Sequence, residues 1–127
     1  MATRKEEIAA YLQAQGLKPK VEDFGVYFQY KMRNFWFLTD DEDEQYLRLV
    51  MPGIMDVDKN NLDDVLKACN KVTKDVKIAK CFVSENSDVW IACEQLLDVD
   101  PRFEDIIPRS LRIMIGAYNA FLDEIDS

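Results

Sequence analysis

The chain has 127 residues, 48% hydrophobic and 31% charged, which fits one globular domain of about 100–150 residues and excludes disordered and fibrous classes. Acidic residues outnumber basic ones 24 to 16, for a net charge of −8; a nucleic-acid backbone or an anionic membrane is repelled on average, so a protein or peptide partner is expected. Histidine is absent, which removes the side chain best suited to proton transfer near neutral pH and the commonest metal ligand.

The chain opens MATRKEEIAAYLQAQG, with no uninterrupted apolar segment of the signal-peptide kind. No apolar run approaches the roughly 18 residues of a membrane span. Thr3 followed by Glu6 is a capping box, in which hydroxyl and carboxylate satisfy orphan backbone donors reciprocally. It predicts a helix over residues 4–15, with Ile8, Tyr11 and Leu12 as its apolar stripe and Gly16-Leu17 as a left-handed stop.

From Pro19 to Pro52 the pattern changes to extended runs, FGVYFQYKM, NFWFLTD and EQYLRLVM. Their aromatic and branched residues favour strands. They are separated by an expected turn at Arg33-Asn34 and by the acidic tip Asp40 to Glu44, so a meander of three or four strands is predicted. Adjacent acids in a turn diverge, so the tip reads as a solvated loop rather than a metal site.

DVDKNNLDDVLK places Asp56, Asp58 and Asn60 at alternate positions, as in a calcium loop. Asn61 stands where the required glycine should be, however, and Lys67 where a coordinating glutamate should be. Loop plus helix cap accounts for the same residues. The second helix is predicted with Asn61 as cap, Asp63 and Asp64 in its first turn, and a stripe of Leu62, Val65, Leu66, Cys69 and Val72. Its carboxyl end begins a lysine series, Lys67, Lys71, Lys74, Lys77 and Lys80, read as a solvated helix face and strand edge.

VKIAKCFVS and DVWIACEQLL then form a hairpin around the turn formers Glu85 to Asp88. The last helix is expected from Asp100-Pro101, cap and first-turn proline, to residue 125. Its stripe is Phe103, Ile106, Ile107, Leu111, Met114, Ile115, Tyr118, Leu122 and Ile125. Pro108 cannot donate to Glu104 and is expected to break or kink the helix there. The result is a single α+β domain over residues 1–127, of order α-β-β-β-α-β-β-α, with one mainly antiparallel sheet and helices packed on it.

Chemistry is scarce. Nucleophile elbows, phosphate-cradling glycine loops and dinucleotide fingerprints are absent. Cys69, Cys81 and Cys93 lack the spacing of a zinc or redox pair and read as core residues of a reducing compartment. No catalytic residue, cofactor or metal is expected. The informative feature is strands apolar on both faces: Phe35 and Phe37 oppose Trp36 and Leu38, and Val89, Ile91 and Cys93 oppose Trp90 and Ala92. Either one molecule covers both faces, or the second face meets a subunit or a peptide, with Lys31, Arg48 and Glu94 as its rim.

From Asn70 to Phe121, a helix ending CNKV, the hairpin KIAKCFVSENSDVWIACEQLL and a terminal helix ending AYNAFLDEI together resemble the YbjN family of bacterial sensory transduction regulators. The chain departs from that pattern at Pro108 and in the lysine series. The resemblance implies a fold similar to type III secretion chaperones and a cytoplasmic bacterial module that binds other proteins or itself. Chaperones of this fold work as dimers holding an extended effector segment; a shared fold does not transfer that role. The leading expectation is thus a non-enzymatic binding protein, regulatory or chaperone-like, acting as a homodimer in the cytoplasm without membrane or nucleic-acid partners. It engages a protein or peptide through Trp36, Leu38 and Trp90 on the sheet or Val65 and Lys71 on the second helix. The alternative is a small-molecule sensor with a pocket between sheet and last helix, lined by Trp36, Trp90 and Tyr118.

Overall fold

The computed structural model describes residues 2–126. In chain order its elements are α1 (Arg4–Ala14), β1 (Lys20–Glu22), β2 (Gly25–Tyr30), β3 (Arg33–Leu38), β4 (Tyr46–Met51), α2 (Leu62–Asp75), β5 (Ala79–Val83), β6 (Val89–Leu96) and α3 (Phe103–Asp126). This is the expected α+β order, with four strands ahead of α2. The six strands form one antiparallel sheet ordered β1-β2-β3-β4-β6-β5.

Helix α1 starts on the predicted box: the Thr3 hydroxyl accepts from the Glu6 amide at 3.2 Å, and the Glu6 carboxylate accepts from the Thr3 amide at 3.1 Å. It stops at Gly16, whose φ of +84° is open to glycine without a side-chain clash. The amide of Leu17 then closes onto Leu12 O at 3.0 Å.

The first hairpin turns two residues earlier than expected, at Lys31-Met32, which take φ values of 50° and 65°. Neither residue favours that region. The reason lies in the register, which pairs Val26 with Phe37 and Phe28 with Phe35. The Phe28 ring stacks on Phe35 and on Phe37, each with centroids 5.5 Å apart. A turn at Arg33-Asn34 would set Met32 against Phe35 and carry Phe28 out to Thr39. Burial of three phenylalanines outweighs the turn-former preference. Glycine is required at 25, where a Cβ would lie 2.1 Å from Phe37 O on the neighbouring strand.

All three helices lie on the face carrying Val26, Phe28, Phe35, Phe37, Leu47, Leu49, Ile91 and Cys93, and their buried residues form one cluster with these side chains. The α2 stripe is rotated from the predicted one: Val65, Ala68, Cys69 and Val72 are buried, whereas Leu62 and Leu66 are 39% and 47% exposed. Asn61 stands at the cap position but its side chain does not cap. It turns back instead, donating to Asp56 O at 3.1 Å and accepting from the Asp58 amide at 2.8 Å. Asp58 accepts from the amides of Asn60 and Asn61 in turn, so the calcium-like spacing is a self-bonded turn. Thr73 ties α2 to β5 by accepting from the Cys81 amide at 2.9 Å and donating to its carbonyl.

Helix α3 begins at Phe103, so Asp100 does not cap it, and it runs through Pro108 as one element. The expected break is absent. Pro108 sits early in the helix and frees only the carbonyl of exposed Glu104, while Phe103, Ile107 and Leu111 are buried on either side of it. One solvated carbonyl is a small loss against that burial. The deepest line of α3 also includes Ser110, Ala117 and Phe121, which the predicted stripe lacked.

Candidate interaction face

Alternation along the strands sends a second set of side chains to the face that carries no helix. The register gives one continuous row across five strands, Tyr27, Trp36, Val50, Ala92 and Lys80. A second row holds Gly25, Leu38, Arg48 and Glu94, and Trp90 pairs with Phe82 beyond the first. Val50 and Ala92 are wholly buried yet lie outside the core cluster. The larger Trp36, Arg48, Trp90 and Lys80 around them account for this. Phe24, 57% exposed, stacks on Trp36 with centroids 4.8 Å apart, and Tyr27 packs on the same indole at 5.2 Å. The open face therefore carries an aromatic cluster at each end and small apolar residues between.

Trp36, Leu38 and Trp90 all belong to this face, as the alternation anticipated. Val65 does not: it is wholly buried in the core and has no surface to offer a partner. Lys71 lies on exposed α2, paired with Asp75 at 3.2 Å, away from the sheet face. The supposed rim is also redistributed. Arg48 and Glu94 sit within the face, opposite each other in register, and Lys31 belongs to the hairpin turn with its ammonium 5.5 Å from the Tyr30 ring. The sequence reading missed Phe24 and Phe82, whose only signal was apolar character at strand-edge positions.

The electrostatic centre of the face is Glu94. Lys80 donates to one of its carboxylate oxygens and the Tyr46 hydroxyl to the other. These bonds hold the Glu94 carboxyl below its usual range. Burial, together with the Glu94 charge, pushes the Tyr46 hydroxyl up to about 12. The Trp90 indole N–H donates to Asp88 at 3.1 Å, which fixes its ring at the foot of the β5–β6 hairpin.

Tyr118 is on the other side of the sheet, under the Arg33 guanidinium at 4.2 Å. A pocket lined jointly by Trp36, Trp90 and Tyr118 is thus not formed, because the sheet separates them. A concavity of about 320 Å³ does lie between α3 and the sheet, lined by Ile78, Gln95, Asp105, Arg109, Ser110 and Ile113 among others. Ser110 there is 2% exposed, donates to Ile106 O at 2.8 Å and accepts from Gln95.

All three cysteines are free and buried. Cys81 donates to Cys69 with 3.4 Å between the sulfurs, raising the Cys81 thiol and lowering that of Cys69. Burial pushes Cys93 up to about 11. A raised thiol is a poor nucleophile at neutral pH. Among the described residues no three acids, cysteines or histidines gather as a metal site, and no helix is long and apolar enough to cross a membrane.

This arrangement of helices and strands has solved counterparts. YbjN from E. coli, described as a candidate transcription regulator, superposes with a TM-score of 0.67 over 92% of this chain and 87% of its own, at 7% identity. The fold is YbjN-like. An uncharacterised protein from Methanothermobacter thermautotrophicus superposes with a TM-score of 0.65 at 11% identity, covering 98% of this chain and 97% of that one. No family model and no curated protein matches the sequence. At these identities the likeness extends to the YbjN-like arrangement of helices and strands and not to individual side chains.

Proposed function

We propose that this chain is a non-enzymatic binding module, regulatory or chaperone-like, which receives an extended segment of a partner protein on the helix-free face of its sheet. The observation that carries the reading is the face itself, where Phe24 is exposed and Tyr27, Trp36, Leu38, Phe82 and Trp90 are half-buried with no helix over them. Contiguous exposed apolar surface of this kind marks contact sites, and aromatic residues supply contact area at low entropic cost. The description of the E. coli YbjN protein as a candidate transcription regulator supports a regulatory role. Binding is favoured over bond making because Glu94, Tyr46 and Cys69, whose titration is displaced, are each tied into structural pairs.

The proposal includes self-association and a cytoplasmic setting. Leu62 and Leu66 lie one turn apart on α2 and are partly exposed; pairing there leaves the sheet face free. Light scattering that returns the mass of one chain at micromolar concentration would remove the dimer from the account. Three buried thiols suit a reducing compartment.

Photo-crosslinking in the native host tests the main reading. A benzoylphenylalanine at Leu38 is expected to give a discrete adduct, and one at Arg112, exposed on α3, none. Adducts at Arg112 alone would refute it. A second reading, a small-molecule sensor, draws on the concavity beside Ser110 and Ile78. Ile78 holds a φ of 53°, a strained conformation for a β-branched residue of the sort found near binding sites. A metabolite panel that raises the melting temperature of wild type but not of Ser110→Leu would favour that reading.

A further inference from the structure

We propose that Arg48 is a carboxylate-recognition site, so that the segment bound on the open face carries an acidic side chain next to a large apolar one. This rests on the peptide-binding reading above and deepens it. The starting observation is a pair that does not form. Arg48 and Glu94 are directly opposed on adjacent strands, where opposite charges ordinarily bond. Glu94 instead spends one oxygen on Lys80 and the other on Tyr46. The Arg48 charge still acts on Glu94 through space, but among the described residues Arg48 makes neither a hydrogen bond nor an ion pair. The side chain of half-buried Arg48 is thus left, among the described residues, without a protein partner for its donors, on the open face beside Glu94.

The second observation is where that guanidinium stands. Arg48 borders a concavity of about 400 Å³ whose other walls include Phe82, Trp90, Ser84, Glu85 and Asn86. Phe82 and Trp90, with centroids 6.3 Å apart, give it an aromatic floor. The Trp90 N–H is already spent on Asp88, so the indole offers the concavity its apolar surface. A planar fork of donors beside an aromatic floor suits a carboxylate with an apolar neighbour: the fork takes the two oxygens side by side, and the floor takes the adjacent side chain. The net charge of −8 repels acidic segments in general. Selection for one therefore arises at contact, not through long-range steering.

The test is a titration of the ¹⁵N-labelled full chain, following the Trp90 indole resonance, which a Trp36→Phe variant assigns. The probes are acetyl-Leu-Glu-Phe-amide and its neutral twin acetyl-Leu-Gln-Phe-amide. The Glu peptide is expected to move the Trp90 resonance and to bind about tenfold more tightly than the Gln peptide, the gain of one charge-assisted contact. Arg48→Met should bring the ratio to near one, and Arg48→Lys should retain part of it. Equal affinity for both peptides would overturn the proposal while leaving a peptide-binding face in place. Movement with neither peptide would overturn it too, and the face itself would then be judged by the crosslinking experiment. Movement with the protein's own concentration in the absence of peptide would assign the face to a second copy and also overturn it.

Discussion

The two faces of one sheet are built from the same strands and differ in what covers them. On the inner face Phe35 and Phe37 are wholly buried beneath three helices; one residue away, Trp36 and Leu38 remain partly open. The inner face is apolar and lies under the helices; the open face sets Arg48, Glu94 and Lys80 among its aromatic and small apolar residues, and no helix lies on it.

Deleting a ring from each face gives the sharpest contrast. Phe37→Ala should cost about 3–5 kcal/mol in urea unfolding, as loss of a fully buried aromatic does. Trp36→Ala should cost under about 2 kcal/mol, because its ring is already partly solvated, yet remove the Leu38 crosslink. Equal costs would erase the distinction between the faces.

The Tyr46–Glu94–Lys80 cluster gives the open face a pH signature. Tyr46 folds with its hydroxyl raised from 10.0 to about 12. Its contribution is complete below pH 10 and disappears as pH rises to about 12. Tyr46→Phe should lack that loss when the two proteins' unfolding midpoints are compared across the interval. Glu94 moves the other way: its lowered carboxyl stabilises above the usual carboxylate range, and this contribution is lost on acidification. Glu94→Gln should flatten that acid limb.

The hairpin at Lys31-Met32 tests whether register or turn chemistry governs β2 and β3. Replacing the two residues with Asn-Gly, which favours positive φ at both positions, should raise stability by about 1 kcal/mol in urea. A fall would place the turn elsewhere. Lys71→Ala is expected to do least. Its bond to Asp75 lies on one exposed helix surface, so the unfolding midpoint and the Leu38 crosslink should both be unchanged.

Much of this was legible in the sequence, and the errors share a cause. The Thr3–Glu6 box, the Glu85–Asp88 turn and the two-sided strands are local patterns, and each appears where its chemistry put it. Arg33-Asn34, Asn61 and Pro108 also carried local signals. They yielded to long-range packing: the Phe28–Phe35–Phe37 stack set the hairpin register, the 56–61 turn claimed the Asn61 side chain, and burial on both sides of Pro108 held α3 together. Val65 and Leu66 are adjacent on one helical stripe, and only the docking angle of α2 decides which enters the core. The unpaired state of Arg48 could not be read at all, because it depends on Lys80 and Tyr46 reaching Glu94 from two other strands.

Hydroxyl-radical footprinting of the protein inside its native cells, compared with the purified chain, tests the contact claim most directly. The account predicts that Trp36, Leu38 and Trp90 are oxidised in the purified protein and protected in the cell, while exposed residues of α3 such as Arg112 are labelled equally in both. Equal labelling of Trp36 and Trp90 in the two settings, or protection confined to the helices, would contradict it.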